Sequence, residues 1–264
     1  MRNVLIYTVH KSASMFLHQL TIDVANEFGI DYYSINSKRY FDEIKQSSWK
    51  IFIENRLKEN QSKPSCFGPI RSGITDAIFP HPLSEYSIVL HLRDPRDVLT
   101  SFFFYSTYSH LKREKGFDPD TAPRKPWQDG EIDRFVLEQL PSFKARYQLL
   151  ISTLLGNDNV KFVTYEDMVS NYSAWLDRFL SAFSQLDIAS KHTLRPTVVP
   201  DFIAQIRQNL FEKYKDEFVV PTEENIYRHK RIIKPGDHRH KLQPNTIEIL
   251  NSEFSGILKS LSYT

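Results

Sequence analysis

The stretch Asn3-Val-Leu-Ile-Tyr-Thr-Val9, followed at once by His10-Lys-Ser-Ala-Ser14, decides the fold of this chain. The first part is mostly apolar and rich in β-branched residues, which is typical of a buried strand of a parallel sheet. Beyond the turn an apolar side chain recurs at every fourth position, and Gly29 follows the last of them. This pattern predicts a helix over Ser12–Phe28 that ends at the glycine.

A strand, a turn and a helix in this order make a site for an anion. The first N–H groups of a helix have no partner within the helix, and the helix dipole places positive charge at the same end. Lys11 adds a charge, and the hydroxyls of Ser12 and Ser14 add donors. The Walker A spacing G-x-x-x-x-G-K-[ST] is absent, so the turn predicts a phosphate-binding loop of another kind. A solvated lysine at a helix start is the alternative.

A second candidate anion site lies at residues 92–101, Leu-Arg-Asp-Pro-Arg-Asp-Val-Leu-Thr-Ser. A strand-like run ends just before Arg93, and the Asp-Pro pair that follows supplies an N-cap and a first-turn residue for a helix. Ser101 lies two turns into that helix, so the guanidinium and the hydroxyl can bind one phosphate. The alternative is a surface ion pair between Arg93 and a neighbouring aspartate, which would contribute little.

Strand-like and helix-like segments alternate along the chain. The predicted strands are Asn3–Val9, Asp31–Ile35, Pro64–Phe67, Tyr86–Leu92 and Val160–Thr164. The predicted helices are Ser12–Phe28, Tyr40–Asn60, Pro95–Arg113, Glu131–Leu155, Glu166–Phe183, Asp201–Tyr214 and Pro244–Leu261. The alternation predicts an α/β fold with a central parallel sheet flanked by helices on both faces. A length of 264 residues favours a single domain over residues 1–264.

Together these motifs resemble the sulfotransferases that use 3′-phosphoadenosine 5′-phosphosulfate (PAPS). That family carries a P-K-S-G-T-T-W-like loop after its first strand, where this chain has His10-Lys-Ser-Ala-Ser-Met-Phe16. Its R-[ND]-P-[RK]-D-V-x-x-S motif matches residues 93–101 at every defined position. A Y-E-D turn appears at residues 165–167, and a C-terminal R-K-G-x-x-G-D-W-K loop is echoed in degenerate form at residues 231–239. The resemblance covers nearly the whole chain and implies a P-loop-like sulfotransferase fold.

The resemblance also implies the residues that bind PAPS and its product 3′-phosphoadenosine 5′-phosphate (PAP). Those implied for the 5′-phosphosulfate are Lys11, Ser12, Ala13, Ser14 and Met15, and those implied for the 3′-phosphate are Arg93, Ser101, Arg231, Lys234 and Gly236. Phe16 and Tyr165 would flank the adenine, although Phe16 fits the apolar stripe of its helix equally well. Sulfuryl transfer between two oxygens in line builds charge on the leaving phosphate, and Lys11 would neutralise it.

For the general base the sequence offers several candidates, and for the acceptor site it offers a set of polar and aromatic residues. A hydroxyl acceptor must lose a proton, and histidine is the side chain best suited to accept it near neutral pH. Cytosolic relatives place a Lys-x-His motif where this chain reads Gly68-Pro-Ile-Arg71, without a histidine. His81 is the preferred base, with His110 and His10 as alternatives, and an amine acceptor would weaken the need for one. The residues expected to line an aromatic-walled acceptor pocket are His10, Arg71, Phe104, Tyr105 and His110.

Composition limits the partners and the compartment. The chain has 34 basic and 32 acidic residues, a net charge of +2, so it has no general basic field for nucleic acid. No run approaches the ~20 apolar residues of a membrane span, and the N-terminus is too polar for a signal peptide. A single cysteine, Cys66, fits a reducing cytoplasm. We therefore expect a cytoplasmic enzyme that uses no metal and acts on a small-molecule acceptor, such as a polar natural product; whether it forms a homo-oligomer is open.

Two other functions remain open at this point. One is an ATP-dependent small-molecule kinase of P-loop type, which would need Mg²⁺ and an acidic metal ligand at a strand end. The other is a catalytically silent nucleotide-binding module, which the missing Lys-x-His motif favours. Three histidines lie in the basic segment 228–241, but no cysteine or carboxylate accompanies them at a spacing that suits a metal site.

Overall fold

The computed structural model describes residues 2–34, 40, 43, 48–59, 63–71, 79–108, 130–184, 186, 199–218, 224 and 234–263. The chain divides into two compact units. The first comprises residues 1–92 and 153–215, and the second comprises residues 93–152 and 216–264. That the whole chain forms one domain stays a prediction.

A five-stranded parallel sheet lies at the centre of the first unit. Its strands are β1 (Val4–Thr8), β2 (Asp31–Ser34), β3 (Ser65–Ile70), β4 (Ser87–Leu92) and β5 (Val160–Thr164). Their order in the sheet is β2-β3-β1-β4-β5, and every neighbouring pair is parallel. β1, β3 and β4 are buried along their whole length, as their apolar sequences require. The predicted fold class, a central parallel sheet flanked by helices, is confirmed.

Ten α-helices are present in the described ranges. They are α1 (Ser14–Phe28), α2 (Trp49–Glu59), α3 (Pro95–Thr107), α4 (Glu131–Leu154), α5 (Tyr165–Ser170), α6 (Tyr172–Leu180), α7 (Val199–Tyr214), α8 (His238–Lys241), α9 (Pro244–Glu253) and α10 (Ser255–Ser260). Short 3₁₀ turns cover Leu83–Glu85 and Lys215–Phe218. In these same ranges no helix combines the length and the apolar character needed to cross a bilayer.

Two predicted helices are each divided in the structure. The predicted helix Glu166–Phe183 is interrupted at Asn171, whose side chain accepts a hydrogen bond from the N–H of Ala174 (3.2 Å) and thereby begins α6. The predicted helix Pro244–Leu261 is interrupted at Phe254. Of the predicted helix Tyr40–Asn60 the structure shows α2, and residues 109–113 of the predicted helix Pro95–Arg113 lie outside the described residues.

The first helix begins later than the sequence predicts. α1 starts at Ser14 rather than Ser12, because Lys11 (φ 64°) and Ala13 (φ 54°) adopt left-handed backbone conformations that a right-handed helix cannot contain. At the other end, Gly29 (φ 64°) terminates the helix as predicted. Residues 9–13 therefore form a loop at the carboxyl end of β1. This loop is called the β1 loop below.

Candidate functional site

The β1 loop leaves the start of α1 without a side-chain cap. Ala13 is the N-cap of α1, and its methyl side chain cannot accept a hydrogen bond from the N–H groups of the first helical turn. The hydroxyl of Ser12 is fully buried and has no hydrogen-bond partner among the residues that the structure describes. A buried polar group without a partner is costly, so this geometry fits an anion that accepts from the loop.

The other residues of the β1 loop and of the first turn of α1 differ in exposure. His10, Lys11 and Ser14 are half-buried. Met15 is 61% exposed, so its side chain points to solvent and its backbone N–H is the group it can offer an anion. The residues predicted for the 5′-phosphosulfate are thus contiguous around one helix start, and their role stays a prediction.

Phe16 is part of an aromatic cluster in the first unit. Its ring centroid lies 5.3 Å from that of Tyr214, 6.1 Å from that of Tyr172 and 6.3 Å from that of Trp175. Phe16 is half-buried, and these contacts account for its place in the apolar stripe of α1. Only the exposed part of the ring is accessible to a ligand.

The Y-E-D segment is the start of α5. The hydroxyl of Thr164 accepts a hydrogen bond from the N–H of Asp167 (3.0 Å), which caps the helix. Tyr165 is the first helical residue and is 6% exposed. The motif therefore has a local structural reason, and the predicted contact of Tyr165 with adenine is not needed to account for it.

The structure places Arg71 and His81 at opposite edges of the sheet. Arg71 follows the carboxyl end of β3, a direct neighbour of β1, so it lies at the same edge as the β1 loop. His81 precedes β4, whose first residue pairs with the first residue of β1. A strand of five or six residues spans about 17–20 Å, so the structure does not bring His81 to the β1 loop. His81 is exposed, and its Nδ1 lies 3.8 Å from Glu85 Oε2. His110 lies outside the described residues.

A histidine outside the set of predicted site residues lies one turn into α1. His18 Nδ1 is 2.7 Å from the hydroxyl oxygen of Tyr32 on β2, and that hydroxyl donates to the carbonyl oxygen of Gly68 on β3 (2.7 Å). Burial lowers the pKa of His18 below its ordinary value. Its spacing of four residues from Ser14 was the one signal in the sequence that could have identified it.

In the second unit, Arg93 lies along one face of α3. Its guanidinium Nη2 is 3.6 Å from Asp97 Oδ2, and both side chains are almost fully buried. Asp97 and Ser101 are four residues apart and therefore share a face of the helix. The ion pair is thus internal, unlike the surface pair considered above, and the guanidinium contacts the same face that carries the Ser101 hydroxyl.

Asp97 also binds the C-terminal loop of the second unit. Its carboxylate accepts hydrogen bonds from the N–H of Gly236 (2.7 Å), the N–H of His238 (3.0 Å) and Nδ1 of His238 (2.6 Å). Burial alone would raise the pKa of Asp97, but the hydrogen bonds from His238 and the charge of Arg93 outweigh it and hold this pKa well below its usual range. No local sequence pattern indicates this group, because its contacts join residues 139 and 141 positions apart.

These contacts bring two of the predicted 3′-phosphate residues together through one carboxylate. Gly236 and Arg93 both contact Asp97, and Gly236 has φ 85°, a conformation that glycine adopts without strain. Lys234, two residues earlier, is exposed. Arg231 lies outside the described residues.

The aromatic residues predicted for the acceptor pocket differ in burial. Phe104 is 2% exposed and packs against Phe103 (ring centroids 5.2 Å apart) and Tyr108 (6.1 Å), so it belongs to the core of the second unit. Tyr105 is half-buried, with its ring 6.4 Å from that of Phe102. Of the two, Tyr105 has the side chain that a ligand can reach.

Matches to known proteins cover almost the whole chain. A family model described as the sulfotransferase domain matches residues 1–260. The structure of mouse sulfotransferase SULT7A1 complexed with PAP is similar over 98% of this chain and 85% of that chain, with 15% identity and a TM-score of 0.50. The structure of retinol dehydratase with retinol and PAP is similar over 98% and 82%, with 13% identity and a TM-score of 0.47. No protein of curated function matches the sequence significantly. At 15% identity the SULT7A1 structure shows the fold alone.

Proposed function

The chain belongs to the sulfotransferase domain family, and from this we propose that it transfers the sulfonate group of PAPS to a hydroxyl or amino group of a small-molecule acceptor. The observation that carries the proposal is the β1 loop. A buried hydroxyl without a partner in the described residues, a helix start without a side-chain cap and an adjacent lysine suit a phosphosulfate.

The residues of the β1 loop would have two roles in the reaction. Ser12 and the N–H groups at the start of α1 hold the 5′ end of the nucleotide, and Lys11 places a positive charge at the oxygen that becomes phosphate as the sulfonate leaves. Preorganised donors and charges of this kind stabilise a transition state because they need no rearrangement when the charge develops.

Arg93 and Ser101 of the second unit would bind the 3′-phosphate. A planar guanidinium suits bidentate binding of a phosphate, and Asp97 holds this one in place along the face of α3. Gly236, Lys234 and Arg231 would complete the site from the C-terminal loop. Recognition of the 3′-phosphate would distinguish PAPS from ATP. Within the described part of the chain, His, Cys, Asp and Glu form no group of three or more that could hold a metal ion.

Ligand-dependent thermal shifts test the proposal. PAP and ATP are each added with and without Mg²⁺, since a ligand that binds the native state raises its Tm. We expect strong stabilisation by PAP that does not depend on the metal, and little by ATP. Stabilisation by ATP with Mg²⁺ alone would favour the small-molecule kinase and refute the sulfotransferase.

An acceptor screen then separates an enzyme from a silent binder. Labelled PAPS is incubated with a panel of phenols, alcohols and amines, and the label is followed into products. Transfer to any of them supports the proposed activity. Tight binding of PAP without transfer to an acceptor or to water would identify a nucleotide-binding module that has lost its chemistry.

A further inference from the structure

We propose that His18 is the general base that accepts the proton of the acceptor during sulfonate transfer. This inference rests on the proposed function. It comes from a hydrogen-bonded chain that joins His18 on α1, Tyr32 on β2 and Gly68 on β3. No histidine occurs at residues 68–71, the segment at the end of β3. The hydrogen bonds through Tyr32 instead connect the imidazole of His18 to this end of the strand.

The chain of hydrogen bonds determines the tautomer of His18. The hydroxyl of Tyr32 donates its single proton to the carbonyl oxygen of Gly68 (2.7 Å). The contact between that hydroxyl oxygen and His18 Nδ1 (2.7 Å) therefore needs a proton on Nδ1. A neutral imidazole carries one N–H, so Nε2 carries the lone pair. Within the described part of the chain, Nε2 has no hydrogen-bond partner.

The surroundings keep His18 neutral, so it has a lone pair that can accept a proton. The ring is half-buried, and its burial lowers its pKa. The titratable groups on the facing strands are Tyr32, with Asp31 and Tyr33 beside it on β2, and Cys66 on β3. Asp31 forms an ion pair with Lys63 (2.9 Å). Burial raises the pKa of Tyr32, Tyr33 and Cys66, so these groups are neutral at neutral pH. Lys63 balances the charge of Asp31, so no unpaired negative charge on these strands acts to raise the pKa of the imidazole. A base that is free of its proton at working pH is the state that catalysis needs.

The position of His18 suits this role. It lies four residues after Ser14 on α1, so the two side chains are neighbours on one helix face, with Cβ atoms about 5–6 Å apart. Ser14 is the first residue of the helix and borders the β1 loop. Gly68 lies near the carboxyl end of β3, at the sheet edge where the β1 loop also lies. An acceptor that approaches the sulfonate at this edge has His18 within one helical turn.

One bond to sulfur forms and one breaks while a single proton moves to His18. A lone pair of the acceptor oxygen forms the new bond to sulfur while its proton passes to Nε2 of His18. The bond between sulfur and the bridging oxygen of PAPS breaks, and its electron pair stays on that oxygen, where Lys11 neutralises the charge. The imidazolium keeps its Nδ1–H bond to the Tyr32 hydroxyl, which in turn points to a carbonyl, so the chain of dipoles stabilises the cation. The proton then leaves to solvent from Nε2.

The test compares wild type with His18→Gln, using labelled PAPS with the phenol and alcohol panel and with water as a further acceptor. We expect the wild-type rate to fall as the pH drops through the lowered pKa of His18. In His18→Gln we expect a rate about 100-fold or more lower, without this acidic limb. PAP should raise the Tm of both proteins equally. His240→Gln, a change of an exposed histidine on α8, should keep the wild-type pH profile.

The outcomes separate the two proposals. If PAP fails to stabilise the wild type, the proposed function fails and the inference falls with it. If PAP stabilises both proteins and His18→Gln keeps the acidic limb, the inference alone is refuted. Equal stabilisation by PAP also shows that a slow variant is folded and binds the nucleotide.

A second measurement needs no acceptor. The ¹⁵N chemical shifts of the His18 ring, assigned by their loss in His18→Gln, should show a protonated Nδ1 and an unprotonated Nε2. The opposite tautomer would overturn the proposal. Tyr32→Phe removes the oxygen that receives the Nδ1 proton, so it should shift the ring toward the Nε2–H tautomer and lower kcat with little change in the KM for PAPS. An unchanged tautomer and rate in this variant would also contradict the proposed role.

Discussion

Asp97→Asn should destabilise the protein far more than its conservative size suggests. The carboxylate is fully buried, accepts three N–H hydrogen bonds of 2.6–3.0 Å from the C-terminal loop and pairs with Arg93. An amide keeps one acceptor oxygen, but it loses the charge and presents an NH₂ group to donors. The buried guanidinium then loses the charge that Asp97 supplies.

The magnitude follows from these contacts. Hydrogen bonds to a charged group contribute about 1.5–3 kcal/mol each, but the three share one acceptor and are not additive. Removing one member of a buried ion pair costs about 3–5 kcal/mol, and the retained amide oxygen places the expected loss near the lower end, about 3 kcal/mol. For a chain of this size that lowers Tm by about 6–12 °C.

The assay is equilibrium urea denaturation of wild type, Asp97→Asn and the control Asp158→Asn, an exposed aspartate in a turn. The control should remain within about 0.5 kcal/mol of wild type. The native-state pKa of Asp97 lies below its unfolded value of about 4, so its contribution is present above pH 4 and is lost as the pH falls below it. The difference between wild type and Asp97→Asn should therefore shrink below pH 4. A difference under about 0.5 kcal/mol at pH 7 would refute the reasoning.

Three further substitutions test other parts of the structure. Ala13→Gly should raise the free energy of unfolding by up to about 1 kcal/mol, which thermal denaturation measures. The left-handed backbone of residue 13 costs alanine about 1–2 kcal/mol, and the greater flexibility of glycine in the unfolded chain cancels part of the gain. Arg93→Ala should remove the preference for PAP over adenosine 5′-phosphate in thermal shifts, and an unchanged preference would refute its 3′-phosphate role. Gly68→Ala should destabilise by about 1–3 kcal/mol in urea, since the added Cβ would lie 2.8 Å from Ile6 Cβ and 2.9 Å from its carbonyl oxygen.

The parallel sheet could be predicted from sequence because its signals are local. Apolar runs bounded by turns identified β1 and β4, and the helix that follows each strand implied parallel pairing. The start of α1 was predicted two residues early, since composition does not reveal that Lys11 and Ala13 adopt positive φ. Asn171 carried a readable capping signal for the break between α5 and α6, whereas Phe254 has no such side chain.

For the candidate site, too, sequence patterns indicate only what is local, and the roles of the named residues stay predictions. The loop and helix motifs are contiguous in sequence, so their residues could be named directly. The group around Asp97 joins segments more than a hundred residues apart, and the group of His18, Tyr32 and Gly68 joins three elements through the order of strands in the sheet. Such contacts depend on tertiary packing, which no local pattern encodes.

The single thiol of the chain gives experimental access to the stability of the sheet. Cys66 is fully buried on β3, next to the central strand, and its burial raises its pKa. A thiol reagent can react with it only when this part of the sheet opens. The rate of modification under native conditions therefore reports the opening equilibrium of the scaffold, without any engineered probe. A cysteine introduced at the surface would react first, so one dye could be attached there selectively while the sheet stays closed.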